Sequence, residues 1–413
     1  METQAHLHRS GAWGPVKERI ALLDVLRGFA IFGILLFNIM PLSGWILLNS
    51  EQRAALAGGS ADSVLEHALV ALVEGKFYSL FSLLFGIGFS VIAQRAEARD
   101  ERVTPTLVRR YVVLLAIGLI HSFLIWFGDI LVLYALLGFA LLACNAFKDR
   151  TLIIGAVTLL LLPIPLYALG LVLQPPASGE SNGLPPAIIA AVQAFKSGSY
   201  PQIVAANVAI NGFGWLRRLV LMFYPRVFAM FLLGLVLGRM GVFREPEKHA
   251  GLFRRFSLYG LLIGLPASIA YSALDQHSGL LPLTHSGLIR TACESIGTPM
   301  LCLGYVAWIT MLFQIRRGKK LLLGLAPVGR MALSNYLLHS VVGVLLFYGI
   351  GAGLYMEVSL ATASGIAFAI YALQVLISRA YFHLFQQGPA EALWRRLTYG
   401  RRTVPGLPFS AIP

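Results

Sequence analysis

A histidine and an aspartate stand eight residues apart in the apolar stretch GLIHSFLIWFGDIL, and this pair is the first candidate for chemistry. His121 lies near the end of one apolar run and Asp129 begins the next. Because Gly128 allows the chain to turn between the runs, the carboxylate can return to the imidazole. A carboxylate-oriented imidazole accepts protons near neutral pH, so the pair predicts a general base and its orienter. The simpler explanation is a buried histidine bonded to a backbone carbonyl.

A second set of polar side chains shares one face of the first apolar segment, LLDVLRGFAIFGILLFNI. Asp24 and Arg27 are three residues apart, and Asn38 follows Arg27 by eleven residues. On a helix all three point the same way and cover about 21 Å of its length. A charge in the middle of a membrane costs about 2.5–3.5 kcal/mol, so this face should avoid lipid. It indicates either a structural ion pair or a polar path that ends at Asn38.

Further polar residues interrupt apolar segments later in the chain. Arg226 directly follows Pro225, and Glu294 lies in another apolar run. These two charges can neutralise each other or meet a substrate within the membrane. Asn335 and His339 are four residues apart, so a helix presents them on one face. We therefore predict Asp24, Arg226, Glu294, Asn335 and His339 as substrate contacts.

The elements that must position these residues are membrane helices. The chain has 413 residues, of which 57% are hydrophobic and 13% are charged, with a mean hydropathy of +0.74. Its apolar runs are continuous rather than alternating, which predicts an all-α polytopic protein with about ten spans in one bundle and argues against a β-barrel. The predicted spans are 21–40, 77–94, 110–127, 130–147, 151–173, 219–240, 253–274, 288–313, 329–349 and 358–384.

The positive charges lie mostly in short loops on one side of these spans. Of the 33 lysines and arginines, 25 fall on the side of the N-terminus and six on the other side. This bias predicts that both termini are cytoplasmic, and it explains the net charge of +14 without nucleic-acid binding. The three cysteines lack metal-ligand spacing, so no metal is expected.

The same distribution predicts how the chain is divided. A cytoplasmic tail (1–19) precedes a transmembrane domain (20–385), and a second cytoplasmic tail (386–413) follows it. The domain contains a long outer loop (174–218), whose second part can form two short helices.

Five ordered segments, together spanning about residues 18–400, resemble the YeiB-like bacterial membrane proteins, a domain of unknown function. These segments are LDVLRGFAIFGILLFNI, KFYSLFSLLFGIGFS, HSFLIWFGDILVLYALLG, GRMALSNYLLHS and QQGPAEALWRRLTYG. The first also resembles the opening helix of transmembrane acyltransferases, such as heparan-glucosaminide N-acetyltransferase and the bacterial carbohydrate O-acyltransferases. The resemblance implies a bacterial inner-membrane protein that moves an acyl group from a cytoplasmic CoA thioester to a sugar on the far side.

The resemblance also bears on individual residues. In the O-acyltransferases, ten residues separate the arginine of the first helix from a functional histidine. Asn38 stands in that position here, as an asparagine does in the heparan enzyme, which instead uses a histidine in the following outer loop. His67 has a similar place in this sequence. The YeiB-like pattern does not require a histidine there, so His121 is the better candidate base.

Two classes of function follow from these residues. In an acyltransferase, His121 would be the base, Asp129 its orienter and Asn38 an oxyanion or acceptor ligand. The donor would be an acyl-CoA, such as acetyl-CoA, and the acceptor a small molecule or glycan on the outer side. Arginines at the cytoplasmic boundary would bind the CoA phosphates; these are Arg27, Arg330, Arg395 and Arg396.

The alternative is a transporter of an organic anion or a lipid-linked molecule. Asp24, Arg27, Arg226 and Glu294 would then be substrate or proton sites. A non-catalytic membrane partner or sensor is a third option, and a homodimer is left open in each case. Binding of a CoA thioester from the cytoplasmic side would distinguish the enzyme from the transporter.

Overall fold

The computed structural model describes residues 20–56, 59–100, 102–173, 186–220, 223–274 and 283–400, and these ranges contain helices and no β-strand. The predicted all-α class is therefore confirmed. The first predicted tail (1–19), the start of the outer loop (174–185) and the end of the second tail (401–413) lie outside the described residues.

The α-helices of the first half are α1 (Ala21–Leu42), α2 (Ser50–Ala55), α3 (Gly59–Leu72), α4 (Lys76–Glu97), α5 (Val103–Ile120), α6 (Leu131–Cys144), α7 (Asp149–Leu161), α8 (Pro163–Leu173), α9 (Pro186–Ser197) and α10 (Tyr200–Val220). Those of the second half are α11 (Phe223–Arg239), α12 (Ala250–Tyr259), α13 (Leu265–Ala273), α14 (His285–Gln314), α15 (Arg316–Leu322), α16 (Ala326–Arg330), α17 (Ala332–Phe347), α18 (Leu360–Leu384) and α19 (Pro389–Tyr399).

The predicted count of ten spans is too high for the described residues. Seven helices there are long and apolar enough to cross a membrane, or eight if a pair bent by 75° counts as one broken span. Each predicted segment coincides with helix, but three fall short of a full span. The segment 130–147 contains the 14-residue α6, and 219–240 contains the 17-residue α11. The segment 329–349 contains α17, which is the second part of the bent pair Arg316–Arg330 and Ala332–Phe347. Hydrophobicity predicts where these helices lie, whereas the packing of the helices and breaks in the backbone determine how long each helix is.

Helix α1 lies inside the bundle, against α4, α14, α16, α17 and α18. Its first half meets α16 so closely that a side chain at Gly329 would overlap the carbonyl of Asp24. Its far end meets α17, where Leu42 covers Gly343. Helix α1 therefore runs beside the bent pair, and we call the side where α1 begins the N-terminal side and the other the far side.

Helices α9 and α10 form a cover on the far side of the bundle. Phe195 of α9 stacks on Tyr348 at 4.5 Å between ring centroids and on Phe127 at 5.7 Å. Its carbonyl also accepts a hydrogen bond from the backbone N–H of Gly349 at 2.8 Å. These contacts hold the cover over the turn that joins α5 to α6 and over the end of α17.

Candidate functional site

The turn between α5 and α6 brings the predicted base and its carboxylate together. Helix α5 ends in a π-helical turn, His121–Ile125, closed by a 2.9 Å hydrogen bond from the N–H of Trp126 to the carbonyl of His121. The helices approach closely here, because a side chain at Gly118 would overlap the backbone of Val132. This close approach places Asp129, just before α6, beside the end of α5.

His121 lies between Asp129 and a serine of α17. Its Nδ1 is 2.8 Å from Oδ1 of Asp129, and its Nε2 is 2.8 Å from Oγ of Ser340. Oδ2 of Asp129 accepts a further hydrogen bond from the N–H of Val132 at 2.7 Å. Because a carboxylate only accepts hydrogen bonds, Nδ1 carries the proton and Nε2 accepts from the serine hydroxyl. The three side chains form one relay, and all are at most 2% exposed.

A tyrosine one turn before Ser340 ties α17 to the same turn. The ring of Tyr336 lies 5.2 Å from that of His121. Its hydroxyl accepts from the N–H of Ile130 at 3.2 Å and donates to the carbonyl of Gly128 at 3.3 Å. Tyr336 therefore fixes the position of α17 relative to the loop that carries Asp129.

The π-turn leaves carbonyls without helical partners, and α10 supplies donors to them. The side-chain amides of Asn207 and Asn211 donate to the carbonyls of Phe123 and Ser122, at 3.2 and 3.1 Å. The hydroxyl of Tyr200 donates to the carbonyl of Leu124 at 2.9 Å. Both asparagines are fully buried, so α10 seals the far side of the relay.

Asn38 was predicted to join His121 and Asp129, and the structure joins Ser340 to them instead. Asn38 is half-buried, and its side chain makes no hydrogen bond within the described ranges. It lies one turn before Leu42, which packs on Gly343, so α1 reaches the level of Ser340. Ser340 ends the motif GRMALSNYLLHS but could not be predicted as part of the site, because its partner is 219 residues away.

The predicted pair of Asp24 and Arg27 is present on the N-terminal side. Nη1 of Arg27 is 3.0 Å from Oδ1 of Asp24, and their side chains are 30% and 3% exposed. The pair lies where α1 packs against α16. Arg27 was predicted to bind CoA phosphates, which requires an accessible cation. Its exposed fraction of 30% is compatible with that requirement.

A network of charges joins α4, α11, α13 and α14. Arg226 forms an ion pair with Glu294, which is the neutralising arrangement considered from the sequence. Arg290 donates to the hydroxyl of Tyr271 at 3.1 Å, and that hydroxyl donates to Glu74 at 3.1 Å. This second chain of contacts could not be predicted from the sequence, since its members come from separate elements.

Lys76 belongs to the same network and is 1% exposed. Its ammonium group donates to the carbonyl of Val70 at 3.1 Å and lies 5.7 Å from the ring centre of Tyr271. A fully buried lysine is rare in proteins without a partner of opposite charge. The ionisable side chains of this network therefore lie between helices and do not face lipid.

The predicted residues of α17 bond mainly to α18. Nδ2 of Asn335 donates to the carbonyl of Val328 and to Oγ of Ser378, both at 3.2 Å. Nε2 of His339 is 2.6 Å from Oε1 of Gln374. These contacts fasten two helices together, so Asn335 and His339 are not joined to the relay of His121.

His67 also lies apart from the relay. It is exposed on α3, and its Nδ1 bonds the carbonyl of Ser63 in the same helix at 2.8 Å. No hydrogen bond connects it to His121, Asp129 or Ser340 within the described residues.

The four predicted CoA-binding arginines lie on the N-terminal side. Arg330 stacks on Phe382, with the guanidinium 3.8 Å from the ring centre, and donates to the carbonyl of Gln386 at 3.2 Å. Arg395 and Arg396 lie on α19, and Arg27 lies on α1. The structure thus spreads these cations over three elements of one side.

Helix α19 is fastened against α5 and α17. Trp394 donates to the carbonyl of Arg110 at 2.9 Å and stacks on its guanidinium at 3.7 Å. Glu391 accepts hydrogen bonds from the N–H groups of Leu333 and Ser334, at 2.7 and 3.2 Å, and so caps α17. Burial raises the pKa of Glu391, although these hydrogen bonds oppose the shift.

An open groove of about 690 Å³ lies where α4, α6 and α11 end and α5 begins. It mixes acids with bases, and none of the predicted CoA-binding arginines lines it; its charged lining residues are Glu97, Asp100, Arg102, Lys148 and Arg239. Arg239 is already bonded to Asp149 at 2.7 Å. Across the described ranges, no three His, Cys, Asp or Glu side chains lie close enough together to hold a metal ion.

The fold defines the class of this protein: it is a multi-pass helical membrane protein. Between its helices, hydrogen bonds join a histidine, a carboxylate and a serine. Residues 237–401 match the family described as "Protein of unknown function (DUF418)". Over most of its length the chain belongs to the YeiB-like family of bacterial membrane proteins, as the following relatives show.

The chain is 36% identical over 400 residues to "Uncharacterized protein YxaH" of Bacillus subtilis, covering 92% of this chain and 94% of the relative. It is 30% identical over 398 residues to an "Uncharacterized 39.9 kDa protein in amylase 3'region" of Bacillus acidopullulyticus, covering 93% and 95%. It is 29% identical over 389 residues to "Uncharacterized protein YeiB" of Escherichia coli, covering 92% and 96%.

Proposed function

We propose that this protein is an acyltransferase of the bacterial inner membrane. It moves an acyl group, such as acetyl, from a cytoplasmic CoA thioester to a hydroxyl or amine of a small molecule or glycan on the outer side. The observation that supports this proposal is His121, bonded on one side to Asp129 and on the other to a hydroxyl, each at 2.8 Å. Acyl transfer requires a base in that arrangement, whereas helix packing does not.

The electrostatics of the relay suit proton transfer. Asp129 holds the Nδ1 proton of His121, which leaves the lone pair of Nε2 directed at a hydroxyl. The carboxylate also stabilises the imidazolium that forms when Nε2 takes up a proton. Because the group is buried away from water, these interactions are stronger than they would be at a surface.

The donor would approach from the N-terminal side, which the charge distribution assigns to the cytoplasm. Arg27 is 30% exposed there and can meet a phosphate of CoA. Asn38 lies about 17 Å farther along α1, at the level of the relay. The flexible pantetheine arm of CoA is suited to span such a distance and to carry its thioester toward His121.

Transport of an organic anion is the second candidate function, and the charge network favours it. Arg226, Arg290 and Lys76 lie with Glu74 and Glu294 between helices of the membrane domain. Ionisable groups at membrane depth commonly mark substrate or ion paths in transporters. A transporter would not need the relay of His121, so mutation of His121 distinguishes the two proposed functions.

The test uses purified full-length protein and acetyl-CoA. Saturating acetyl-CoA should raise the melting temperature, since a ligand at 100 times its Kd stabilises the folded state by about 2.7 kcal/mol. Membranes containing the wild-type protein should then transfer radiolabelled acetyl to a lipid or glycan fraction. His121→Ala should abolish the transfer and keep the thermal shift.

His339→Ala is the matched control, because His339 is an equally buried histidine of the same region that bonds Gln374 instead. Transfer that is kept in His339→Ala and lost in His121→Ala assigns the base to His121, whereas loss in both variants would support the predicted substrate contact of His339. Absence of both the thermal shift and the transfer would reject an acyltransferase. Uptake of an organic anion into proteoliposomes that depends on Arg226 but not on His121 would then favour the transporter.

A further inference from the structure

We propose that Ser340 is a catalytic nucleophile that holds the acyl group as an ester between donor and acceptor. This inference rests on the proposed acyl transfer and adds a covalent intermediate to it. Oγ of Ser340 lies 2.8 Å from Nε2 of His121, and Nδ1 of His121 lies 2.8 Å from Asp129. A serine, a histidine and a carboxylate joined in this order activate the serine hydroxyl in hydrolases and transferases of unrelated folds.

The hydroxyl of Ser340 differs from those helical hydroxyls that bond the carbonyl one turn back. Ser82 donates to the carbonyl of Tyr78 at 2.7 Å, and Thr291 donates to that of Gly287 at 2.8 Å, each four residues back. Such bonds are the usual way for a helix to satisfy a buried hydroxyl. Ser340 makes no such bond among the described residues, and its hydroxyl points to His121 on another helix.

The surroundings fix the relay in place. Tyr336, one turn before Ser340, bonds the backbone on both sides of Asp129, at Gly128 and Ile130. Asp129 is held by the N–H of Val132. A hydroxyl needed only to fill a gap between helices would not require a partner that is itself oriented by a second group.

The loop also offers donors for a negative oxygen. The backbone N–H groups of Phe127 and Gly128 make no hydrogen bond to any described residue. They lie in the same loop as Asp129, one and two residues before it, and are available to an oxyanion that forms when a carbonyl is attacked.

The reaction balances in two halves. Oγ of Ser340 attacks the thioester carbonyl while Nε2 of His121 takes its proton; the C–S bond breaks, and the leaving thiolate receives that proton. The acceptor hydroxyl or amine then gives a proton to Nε2 and attacks the ester carbonyl. The bond to Oγ breaks, and Oγ regains the proton. Nothing is oxidised or reduced, and each half uses the same base.

Burial of the relay decides between transfer and hydrolysis. Ser340 and His121 are each 1% exposed, and α10 packs on the π-turn that begins at His121, where Asn207 and Asn211 bond its carbonyls. An ester held in a site that excludes water waits for the acceptor rather than reacting with water. The proposal therefore predicts a transferase with little hydrolysis of its donor.

The experiment combines a trapped intermediate with a serine-directed probe. Purified full-length protein is incubated with radiolabelled acetyl-CoA, quenched in acid and digested, and the acetylated peptide is identified by mass spectrometry. A second sample is treated with a fluorophosphonate, which modifies activated serines. We expect both reagents to modify Ser340 and both modifications to disappear in His121→Ala.

Two variants complete the test. Ser340→Ala should lose transfer by a factor on the order of 10⁶, as is found when a serine nucleophile is removed from a relay of this kind. Ser364→Ala is its control, because Ser364 is also a buried helical serine, and its hydroxyl has no partner within the described residues. It should transfer like the wild type. Ser340→Cys should form a thioester at the same position.

The outcomes separate the two proposals. Transfer by Ser340→Ala within tenfold of the wild type, with transfer lost in His121→Ala, overturns the nucleophile and leaves the acyltransferase standing with direct transfer. Fluorophosphonate labelling of Ser340 that depends on His121, in a protein that neither binds nor uses acetyl-CoA, supports the nucleophile and rejects the CoA-dependent acyltransferase. Loss of transfer in Ser340→Ala without any acetyl-serine or labelling in the wild type also overturns the nucleophile.

Discussion

Replacing Asp129 by asparagine should nearly abolish acyl transfer while leaving the fold intact. The oxygen of the new amide can still accept from the N–H of Val132, so the start of α6 stays capped. The amide nitrogen, however, is a donor and faces Nδ1 of His121. It therefore forces the imidazole proton onto Nε2, which then donates to Ser340 and can no longer remove its proton.

The magnitude follows from the two roles of the carboxylate. Where the same exchange has been made in a serine–histidine–aspartate relay, kcat falls about 10⁴-fold, which corresponds to about 5.4 kcal/mol in the barrier at 1.36 kcal/mol per factor of ten. The free energy of unfolding should fall much less, by about 1–2 kcal/mol, because a charge-assisted hydrogen bond is replaced by a neutral one.

The assay measures the initial rate of acetyl transfer and the rate of Ser340 modification by a fluorophosphonate. Asp62→Asn is the matched control, since Asp62 is an equally buried carboxylate whose Oδ1 accepts from the N–H of Ala361 at 2.8 Å and caps α18. It should leave both rates unchanged. If Asp129→Asn keeps either rate within tenfold of the wild type, Asp129 does not orient the base.

Three further predictions concern the rest of the fold. Arg226→Leu and Glu294→Leu should each lower the free energy of unfolding by about 3–5 kcal/mol, and the double variant should lose less than their sum; additive losses in a denaturation cycle would contradict the pair. Because burial raises the pKa of Glu391 above its usual 4.5, the native state binds this proton more tightly, so stability should fall as pH rises from 4.5 through the raised value. Glu391→Gln should flatten the unfolding profile in that window, and an unchanged slope would contradict the assignment. Green fluorescent protein fused after Pro413 should fluoresce, and alkaline phosphatase there should be inactive; the reverse would overturn the cytoplasmic C-terminus.

Local features of this fold could be predicted from the sequence. Apolar runs mark where helices form, and each predicted span coincides with one. The pair of Asp24 and Arg27 follows from a spacing of three on a helix. The contact of His121 with Asp129 follows from the short turn between two apolar runs, because the two residues are only eight positions apart. These contacts depend only on neighbours in the chain.

Contacts between distant helices could not be predicted in the same way. Ser340 reaches His121 across 219 residues, and Arg290 reaches Tyr271 from a different helix. No period in the sequence encodes which faces of two helices meet. The span count failed for a related reason: two apolar runs fold as helices of only 14 and 17 residues, α6 and α11, and a third lies beside a 75° bend that only the structure shows.

The π-turn at the end of α5 has a consequence for how this family can vary. Such a turn contains one residue more than an α-helical turn, and it sets the rotation at which His121 leaves the helix. Deleting one residue between His121 and Asp129 would shorten the connection that brings the carboxylate to the imidazole. Residue identity is constrained there too, since Trp126 is buried and Phe127 stacks on Phe195. Among relatives, we expect no insertions or deletions between the histidine and the aspartate.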